Sequence, residues 1–339
     1  MGDNGKLLTV VVPTYNMEKY LPECLDSVTA DIVSDRFEVI VVNDGSKDSS
    51  LEIARRYESK RPDIVRVIDK ENGNYGSCVN AGLAVATGKY FRMLDADDRF
   101  DTDALVELLQ RLEICDTDLV VTLITEEVYH NERKVDEIYH PFSTVRKNHL
   151  YKTDEFYIHT HVFDGEFRMH GLTYKTEVLR RSGLHLIEGI SYTDTIYLYQ
   201  PFAYAKDFIV YDLYLYHYRI GREGQTMDPE KQRKGLIDIA RVVELQLDEL
   251  DKTPQEEHLK TNQKALIMVG GISFFLDTLK MQRGLPKECY ALFHSIISRI
   301  NKYGISPRPL KKKWYFKLWE KTESSRVLDV ALRLRSIFN

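Results

Sequence analysis

The alternation of apolar and amphipathic segments along the first third of the chain constrains its fold more than any other feature. Continuous apolar runs predict five strands, at residues 7–12, 37–42, 65–68, 90–94 and 119–123. Between them, apolar residues at helical spacing predict helices at about 20–28, 49–57, 79–86 and 102–112. Strands that are apolar throughout are typical of a parallel sheet covered on both faces. We therefore predict an α/β fold with a mostly parallel, doubly wound sheet.

Polar clusters follow these predicted strands. They are Thr14-Tyr15-Asn16, Asn43-Asp44-Gly45-Ser46, Asn72-Gly73-Asn74 and Asp95-Ala96-Asp97-Asp98. Ligands of such sheets bind beyond the carboxyl ends of the strands. The four clusters are therefore expected to converge on one edge of one sheet.

Composition excludes several classes of protein. The chain has 339 residues, 43% of them hydrophobic, which is enough for a sizeable core and one large or two domains. A net charge of −5 argues against a nucleic-acid partner. Four widely spaced cysteines exclude a disulfide scaffold and a cysteine zinc site. The start lacks a signal sequence, and the longest apolar stretch, 265–276, is too short to span a bilayer, so a cytoplasmic protein is expected.

Two polar clusters suggest specific chemistry. Asp95 and Asp97 concentrate negative charge after a buried strand, where Mg²⁺ or Mn²⁺ would offset it; the alternative is a helix N-terminus that favours acids. Asp44 could accept a hydrogen bond from the N3–H of uracil, or belong to an ordinary turn. The glycine-rich stretch 71–77 matches neither a dinucleotide-binding nor a P-loop motif.

The order and spacing of four motifs resemble a family 2 glycosyltransferase of the GT-A fold. The motifs are Val10-Val11-Val12-Pro13-Thr14-Tyr15-Asn16, Val41-Val42-Asn43-Asp44-Gly45-Ser46, Asn80-Ala81-Gly82 before Thr87-Gly88-Lys89-Tyr90, and Leu94-Asp95-Ala96-Asp97-Asp98. The resemblance is strong over residues 6–125 and weaker to about Thr226. It implies a catalytic domain at 1–226, with nucleotide-sugar binding in 1–125 and the acceptor region and catalytic base in 126–226, followed by a helical region at 227–339.

The resemblance also implies site residues. Asp44 would bind the uracil of a UDP-sugar, and the other nucleotide contacts would come from Pro13, Thr14, Tyr15, Asn16, Asn72, Ser77 and Ala96. Asp95 would contact the ribose or the metal-bound water, and Asp97 would ligate the divalent cation. His217 would complete the metal shell, touch a phosphate or be structural. A loop with Arg219, Arg222 and Gln225 would fold over the diphosphate.

Inverting members of this family use a carboxylate as general base on the acceptor hydroxyl. The matching stretch is Ser191-Tyr192-Thr193-Asp194-Thr195, which makes Asp194 the candidate base. Thr193 stands where the family usually has Glu, so the assignment rests on one residue. The alternative is that Asp194 only caps a helix at 195–204.

The region after residue 129 is less informative. His159, His161 and His170 lack the further ligands that a zinc site needs. Nearby rings either stack on an acceptor sugar or, as for most such rings, pack in the core. They are Phe156, Tyr157, Phe163 and Phe167.

The C-terminal segment 308–339 carries nine basic and three acidic residues, a net +6, so that the rest of the chain is at −11. Trp314, Tyr315, Phe316, Leu318 and Trp319 interleave with lysines, a pattern that suits an amphipathic helix on anionic lipid. The alternatives are a packed terminal helix and a contact in a homo-oligomer.

We therefore expect an inverting, metal-dependent transferase that moves one sugar from a nucleotide sugar, a UDP-sugar, to a polysaccharide, lipid-linked or wall-polymer acceptor. It would work at the inner face of the plasma membrane. A nucleotidylyltransferase would carry a glycine-rich signature where Pro13–Asn16 stands. A processive synthase would carry a Gln-x-x-Arg-Trp motif and membrane spans, and the sequence has neither, so transfer of a single sugar is preferred. A nucleotide-binding, non-catalytic scaffold subunit is the alternative, and Asp97 and Asp194 argue against it.

Overall fold

The structure, a computed structural model, describes most of the chain. The described residues are 5–31, 36–140, 145–155, 167–222, 225, 229–252, 261–264, 267–305 and 314–338. No helix among them is both long enough and apolar enough to cross a bilayer. The four cysteines are free and buried.

The strands of the described residues form one sheet in the order β3-β2-β1-β4-β9-β6-β10-β5, with β7 paired to β6 and β8 to β10. Their bounds are β1 Leu8–Thr14, β2 Phe37–Asp44, β3 Val65–Lys70, β4 Tyr90–Met93, β5 Arg99–Phe100, β6 Leu119–His130, β7 Arg133–His140, β8 Leu150–Lys152, β9 Leu172–Lys175 and β10 Asp207–Ile220. The prediction of a mostly parallel sheet holds for β3-β2-β1-β4 and for the pair β6-β10. Between these parts, β9 runs antiparallel to both β4 and β6.

Helices cover the sheet and fill the C-terminal third. Their bounds are α1 Leu21–Thr29, α2 Ser50–Lys60, α3 Asn74–Val85, α4 Thr102–Ile114, α5 Thr176–Arg181, α6 Asp194–Tyr199, α7 Pro229–Lys234, α8 Leu236–Lys252, α9 Ser273–Lys280, α10 Tyr290–Lys302, α11 Trp314–Thr322 and α12 Ser325–Phe338. A π-helical turn, Ile267–Ile272, leads directly into α9.

Two helices differ from the sequence prediction for identifiable reasons. The third helix begins at Asn74 rather than Val79, because the Asp44 carboxylate accepts the Gly73 N–H and so stabilises a polar first turn. The helix predicted at 195–204 ends at Tyr199 and continues as a 3₁₀ turn, since Pro201 has no N–H to donate.

The core extends over both faces of the sheet. On one face, a buried apolar cluster contains residues of β2, α1 and α4, such as Val39, Leu25 and Leu105. On the other face, a single cluster joins Val11 of β1 to residues of the C-terminal helices, such as Trp319 of α11. The C-terminal helices therefore share a core with the sheet that carries the polar strand ends.

The packing of α3 on β1 generates a stability prediction. A Cβ atom built on Gly82 would lie 2.5 Å from Cγ2 and 2.6 Å from Cγ1 of the fully buried Val11. We expect Gly82→Ala to lower the free energy of unfolding by about 1–3 kcal/mol, because the overlap outweighs the higher helix propensity of alanine. Urea unfolding measures this loss. Ala84→Ser, on the exposed side of α3, is the control and should change stability by less than about 0.5 kcal/mol. A Gly82→Ala protein as stable as wild type would contradict the described packing.

Candidate active site at the carboxyl ends of the strands

The Asp44 carboxylate lies at the end of β2 and organises the first part of the site. Its Oδ1 accepts hydrogen bonds from Lys70 Nζ at 2.6 Å and from the Gly73 N–H at 2.9 Å. Ser77 Oγ lies 3.4 Å from the same oxygen and accepts from Lys70 Nζ at 2.8 Å. Asn72 Nδ2 donates to the Asp44 carbonyl at 2.9 Å. Three predicted site residues, Asp44, Asn72 and Ser77, are thus brought together.

The loop after β1 lies beside this group. Pro13 and Thr14 are the last residues of β1 and are buried. Asn16 adopts a left-handed φ of 53°, and its N–H donates to Ser46 Oγ at 3.0 Å, which joins the loop after β1 to the loop after β2. Tyr15 is 47% exposed, so its ring is available to a ligand at this edge.

The next group consists of the acidic residues that follow β4. Asp97 and Asp98 are buried. Asp97 Oδ2 accepts from Arg222 Nε, while Asp98 accepts from the Tyr216 hydroxyl at 2.7 Å and from the Arg219 N–H at 2.7 Å. Burial raises the pKa of Asp98 well above its ordinary value, and the carboxylates around it raise that pKa further. Burial also raises the pKa of Asp97, against the opposing effect of the Arg222 guanidinium.

Asp95 is the more exposed member of the acidic group. Its Oδ1 accepts from the Tyr75 hydroxyl at 3.0 Å, and its Oδ2 lies 3.7 Å from His170 Nε2. Its N–H donates to the Tyr216 hydroxyl oxygen at 3.1 Å, so one phenol bridges the backbone of Asp95 and the side chain of Asp98. Ala96, between the acids, is buried, so its side chain faces the protein interior rather than solvent.

His170 is brought to the acidic group by a buried arginine. Arg92, fully buried in β4, donates to the His170 carbonyl and, at 3.0 and 2.9 Å, to the hydroxyls of Thr122 and Thr173. These bonds join β4, β6 and β9 at the point where His170 leaves the sheet. Burial without a carboxylate partner among the described residues lowers the pKa of Arg92 to about 10.

Asp194, the predicted base, is the first residue of α6 and lies partly buried. Burial raises its pKa, His170 opposes that increase, and Asp95 adds to it. The charge of Asp194 also contributes to raising the pKa values of Tyr75 and Tyr218. The structure therefore brings Asp194 into one electrostatic group with His170 and with Asp95, and Asp95 lies more than 90 residues before Asp194 in the chain.

The donor set of this group fits a divalent cation. One ligand atom each from Asp95, Asp98 and His170 lies within 4.8 Å of the other two. The Nδ1 atom of His170 is buried and has no hydrogen-bond partner among the described residues. Carboxylate oxygens with at most one imidazole suit Mg²⁺ or Mn²⁺, and such a cation would offset the mutual repulsion of the acids.

His217 lies in a different group from the one predicted. Its Nδ1 lies 3.1 Å from Glu127 Oε1 and 3.0 Å from Arg99 Nη2. Glu127 is nearly fully buried and also accepts from Arg99 Nη2 at 2.6 Å and from Lys134 Nζ at 3.3 Å. Burial raises the pKa of Glu127, but the hydrogen bonds with His217 and Arg99 outweigh it and bring that pKa far below its ordinary value. The structure therefore does not bring His217 together with Asp95, and a metal role for it remains a prediction.

The segment after β10 lines a cavity of about 400 Å³. The Arg219 guanidinium lies 4.0 Å from the ring centroid of Tyr129 and 5.4 Å from that of Tyr20. Gln225 is buried; its amide donates to the Arg219 carbonyl at 2.7 Å and accepts the Gly221 N–H at 3.1 Å. Gln225 thus holds the turn that presents the two arginines.

Some predicted residues lie outside the described part of the chain: Phe156, Tyr157, His159, His161, Phe163 and Thr226. Phe167 is described, and it packs in the core against Phe202 and Phe208.

Sequence reasoning gave no role to Lys70, Tyr216 or Arg92. Lys70 could have been predicted, because it is the last residue of β3, as Asp44 is of β2, and the two lie in register at the same edge of the sheet.

Comparison with known proteins agrees with this geometry. The profile of glycosyl transferase family 2 matches residues 9–170. EpsJ of Bacillus subtilis (strain 168), named as an uncharacterized glycosyltransferase, is 39% identical over 114 residues, which are 34% of this chain and 33% of EpsJ. EpsH of the same organism, also named as a glycosyltransferase, is 28% identical over 223 residues, 63% of this chain and 60% of EpsH. The chain therefore spans about a third to three fifths of these relatives.

A solved structure extends the likeness in fold to nearly the whole chain. S. aureus TarS 1-349 in complex with UDP superimposes with a TM-score of 0.68 at 18% identity, covering 96% of this chain and 90% of the TarS chain. The predicted GT-A architecture is therefore confirmed, including the presence of helices after the sheet.

The raised pKa of Asp98 gives a pH prediction. An unfolded Asp loses its proton near pH 4, whereas folded Asp98 keeps it to a higher pH. The folded state therefore binds more protons in this window, so wild-type stability falls as pH rises above about 4 through the folded pKa. We expect Asp98→Asn, which has no proton to lose, to gain stability relative to wild type from pH 4 to 7. Urea unfolding in EDTA at several pH values measures this difference, and a constant difference would contradict it.

Proposed function

Residues 9–170 belong to glycosyl transferase family 2, and from this membership we propose that the chain is an inverting, metal-dependent glycosyltransferase. It transfers one sugar from a nucleotide sugar to an acceptor hydroxyl. The observation that carries this proposal is the grouping of Asp194 with Asp95 and His170, which supports a base and a cation site side by side.

The donor nucleotide is proposed to be UDP. The hydrogen bonds from Lys70, the Gly73 N–H and Ser77 to the Asp44 carboxylate go to Oδ1, and Oδ2 is assigned to accept the N3–H of uracil. Lys70 and the Gly73 N–H fix the orientation of this carboxylate. Thr14, Tyr15, Asn16 and Asn72 border the same edge and are assigned to the base and ribose. TarS, which shares the fold, holds UDP in its structure, so UDP is the first nucleotide to test.

The divalent cation is proposed to bind among Asp95, Asp97 and Asp98, with His170 as a further ligand. When bound, it neutralises the charge that grows on the diphosphate as the glycosidic bond breaks. In the structure, Arg222 pairs with the same Asp97 carboxylate that a cation would use. With a cation on Asp97, Arg222 would turn to the diphosphate, and both Arg222 and Arg219 line the cavity where the diphosphate is proposed to lie.

Asp194 is proposed to take the proton of the acceptor hydroxyl. A base works best when its pKa lies near the operating pH, and burial with the nearby Asp95 raises the pKa of Asp194 in that direction. His170 opposes this increase, so the two neighbours set the basicity of Asp194 from opposite sides.

The two aspartates should fail in different ways. We expect Asp194→Asn to lower transfer by about 10²-fold or more while UDP binding stays close to wild type, because general-base catalysis contributes about 10²–10⁴-fold. Asp97→Ala should instead weaken UDP binding measured by calorimetry in Mn²⁺. Transfer is measured with a panel of nucleotide sugars. The exposed Asp103→Asn on α4 is the control and should change neither quantity.

Near wild-type transfer by Asp194→Asn would reject the base. Unchanged Mn²⁺-dependent UDP affinity in Asp97→Ala would reject Asp97 as a ligand of the cation. UDP binding without transfer from any nucleotide sugar would favour the scaffold subunit over the enzyme.

The acceptor is proposed to be a polysaccharide, lipid-linked or wall-polymer intermediate reached at a membrane surface. Much of the apolar face predicted in the tail is buried, since Tyr315, Phe316 and Trp319 of α11 pack in the core. Trp314 and Leu318 remain 51% and 38% exposed on the same helix. Lys317 and Lys321 are exposed beside them, which gives a small basic and apolar surface suited to anionic lipid.

This surface can be tested with vesicles. We expect Lys317→Gln with Lys321→Gln to weaken co-sedimentation with phosphatidylglycerol vesicles by about 2 kcal/mol, from about 1 kcal/mol for each basic residue near the surface. The matched control, Lys60→Gln with Arg66→Gln, removes the same charge from α2 and β3. Equal losses in both pairs, or no loss in either, would reject α11 as the membrane contact.

A further inference from the structure

The segment that carries Asp194 is held from outside the sheet by the C-terminal helices. The N–H of Ser191 donates to Asp238 Oδ2 on α8 at 3.2 Å. Two turns further along α8, Gln246 Nε2 donates to Thr195 Oγ1 at 2.8 Å. One helix of the C-terminal region therefore holds the chain both before and after the proposed base.

The backbone between these two bonds is strained. Tyr192, two residues before Asp194, has a φ of 65°, in the left-handed region that a side chain with a Cβ rarely adopts. Such a conformation persists only where surrounding contacts impose it. The Tyr192 ring packs on Phe274 of α9, with centroids 5.3 Å apart. A Cβ on Gly235, between α7 and α8, would lie 2.4 Å from the Tyr192 ring, so only glycine leaves room for it.

The second anchor is also built into the core. Gln246 is fully buried, where an amide costs free energy unless its polar atoms are hydrogen-bonded; Nε2 bonds Thr195, whereas Oε1 has no hydrogen-bond partner among the described residues. Its Oε1 atom would lie 1.9 Å from a Cβ on Gly271, in the π-helical turn that precedes α9. The irregular turn and its glycine therefore make room for the amide that bonds Thr195.

On its other side, Asp194 faces the sheet. His170, held by Arg92, and Asp95 at the end of β4 are the charged neighbours that influence it. Asp194 is thus placed between two bodies of structure, the strand ends and the C-terminal helices. A general base must lie within hydrogen-bond reach of its proton, and a misplacement of 1 Å costs about 10²-fold in rate.

We propose that Asp238, Gln246 and Phe274 are positioning residues that set the location of Asp194. The C-terminal helices are then part of the catalytic apparatus, in addition to any role toward acceptor or membrane. This inference rests on the proposed function of Asp194 and assigns a role across the proposed division between residues 1–226 and 227–339.

The test separates positioning from binding. The variants are Asp238→Ala, which removes the acceptor of the Ser191 N–H, and Gln246→Met, which keeps the volume and removes the amide. We expect each to lower kcat for sugar transfer by about tenfold or more, with the KM for the nucleotide sugar and the calorimetric Kd for UDP close to wild type. Rates are normalised to the UDP-binding stoichiometry, so that misfolded protein does not count as lost activity.

Two further variants keep the test independent of folding defects on α8. Thr195→Val removes the same hydrogen bond from the other side and should lower kcat as Gln246→Met does. Asp238→Asn keeps an oxygen for the Ser191 N–H and should restore most of the activity lost in Asp238→Ala. The control Asp248→Ala lies on the same helix but pairs with Arg299 of α10 at 2.6 Å, so it should leave kcat unchanged.

Wild-type kcat in Asp238→Ala and Gln246→Met, together with loss of transfer in Asp194→Asn, would overturn the positioning role and leave the base assignment intact. A kcat loss of equal size in Asp248→Ala would also overturn it, because any damage to α8 would then suffice. Retained transfer in Asp194→Asn would overturn the base itself, and the positioning role with it.

Discussion

The mutual repulsion of buried carboxylates at the end of β4 is the constraint on which the site depends. Asp97 and Asp98 are buried side by side with Asp95 next to them, and Asp194 of α6 interacts with Asp95. Removing such charges from water is unfavourable unless partners offset it. The fold supplies those partners from distant segments: Arg222 for Asp97, Tyr216 and the Arg219 N–H for Asp98. The acidic group is therefore stabilised by hydrogen-bond donors from β10 and the segment that follows it.

The reversed strand β9 explains how His170 reaches these acids. A purely parallel sheet would place β6 beside β4, whereas β9 runs between them in the opposite direction. His170 precedes β9, so this reversal brings it to the end of the sheet where β4 terminates. Arg92 fixes the arrangement from within the core, because it donates hydrogen bonds to the His170 carbonyl and to threonines of β6 and β9. The antiparallel strand β9 thus adds the imidazole of His170 to the acidic group at this end of the sheet.

The sequence predicted the parallel half of the sheet and its polar edge, because apolar periodicity and strand-end clusters are local signals. Asp44, Asn72 and Ser77 lie together for that reason. The partners of the acids could not be predicted, since contacts such as Tyr216 with Asp98 join residues over a hundred positions apart without any periodic pattern. The neighbours of His217 are a second example of contacts that the sequence did not predict. The resemblance left a metal, phosphate or structural role open for His217, and strand register places its ring beside Glu127 and Arg99.

The C-terminal helices share a buried core with one face of the sheet, so they are part of the same packed structure and not a separate appended domain. Trp319 and Val11 belong to one buried cluster, so the helices cannot move away from the sheet without exposing it. Side chains of α8 also form hydrogen bonds with Ser191 and Thr195. The helix that packs in this core therefore also fixes the backbone on both sides of Asp194. The left-handed φ of Tyr192 persists because the packing of its ring on Phe274 imposes it. The proposed base Asp194 follows Thr193 rather than a second carboxylate, so its position would depend on this support.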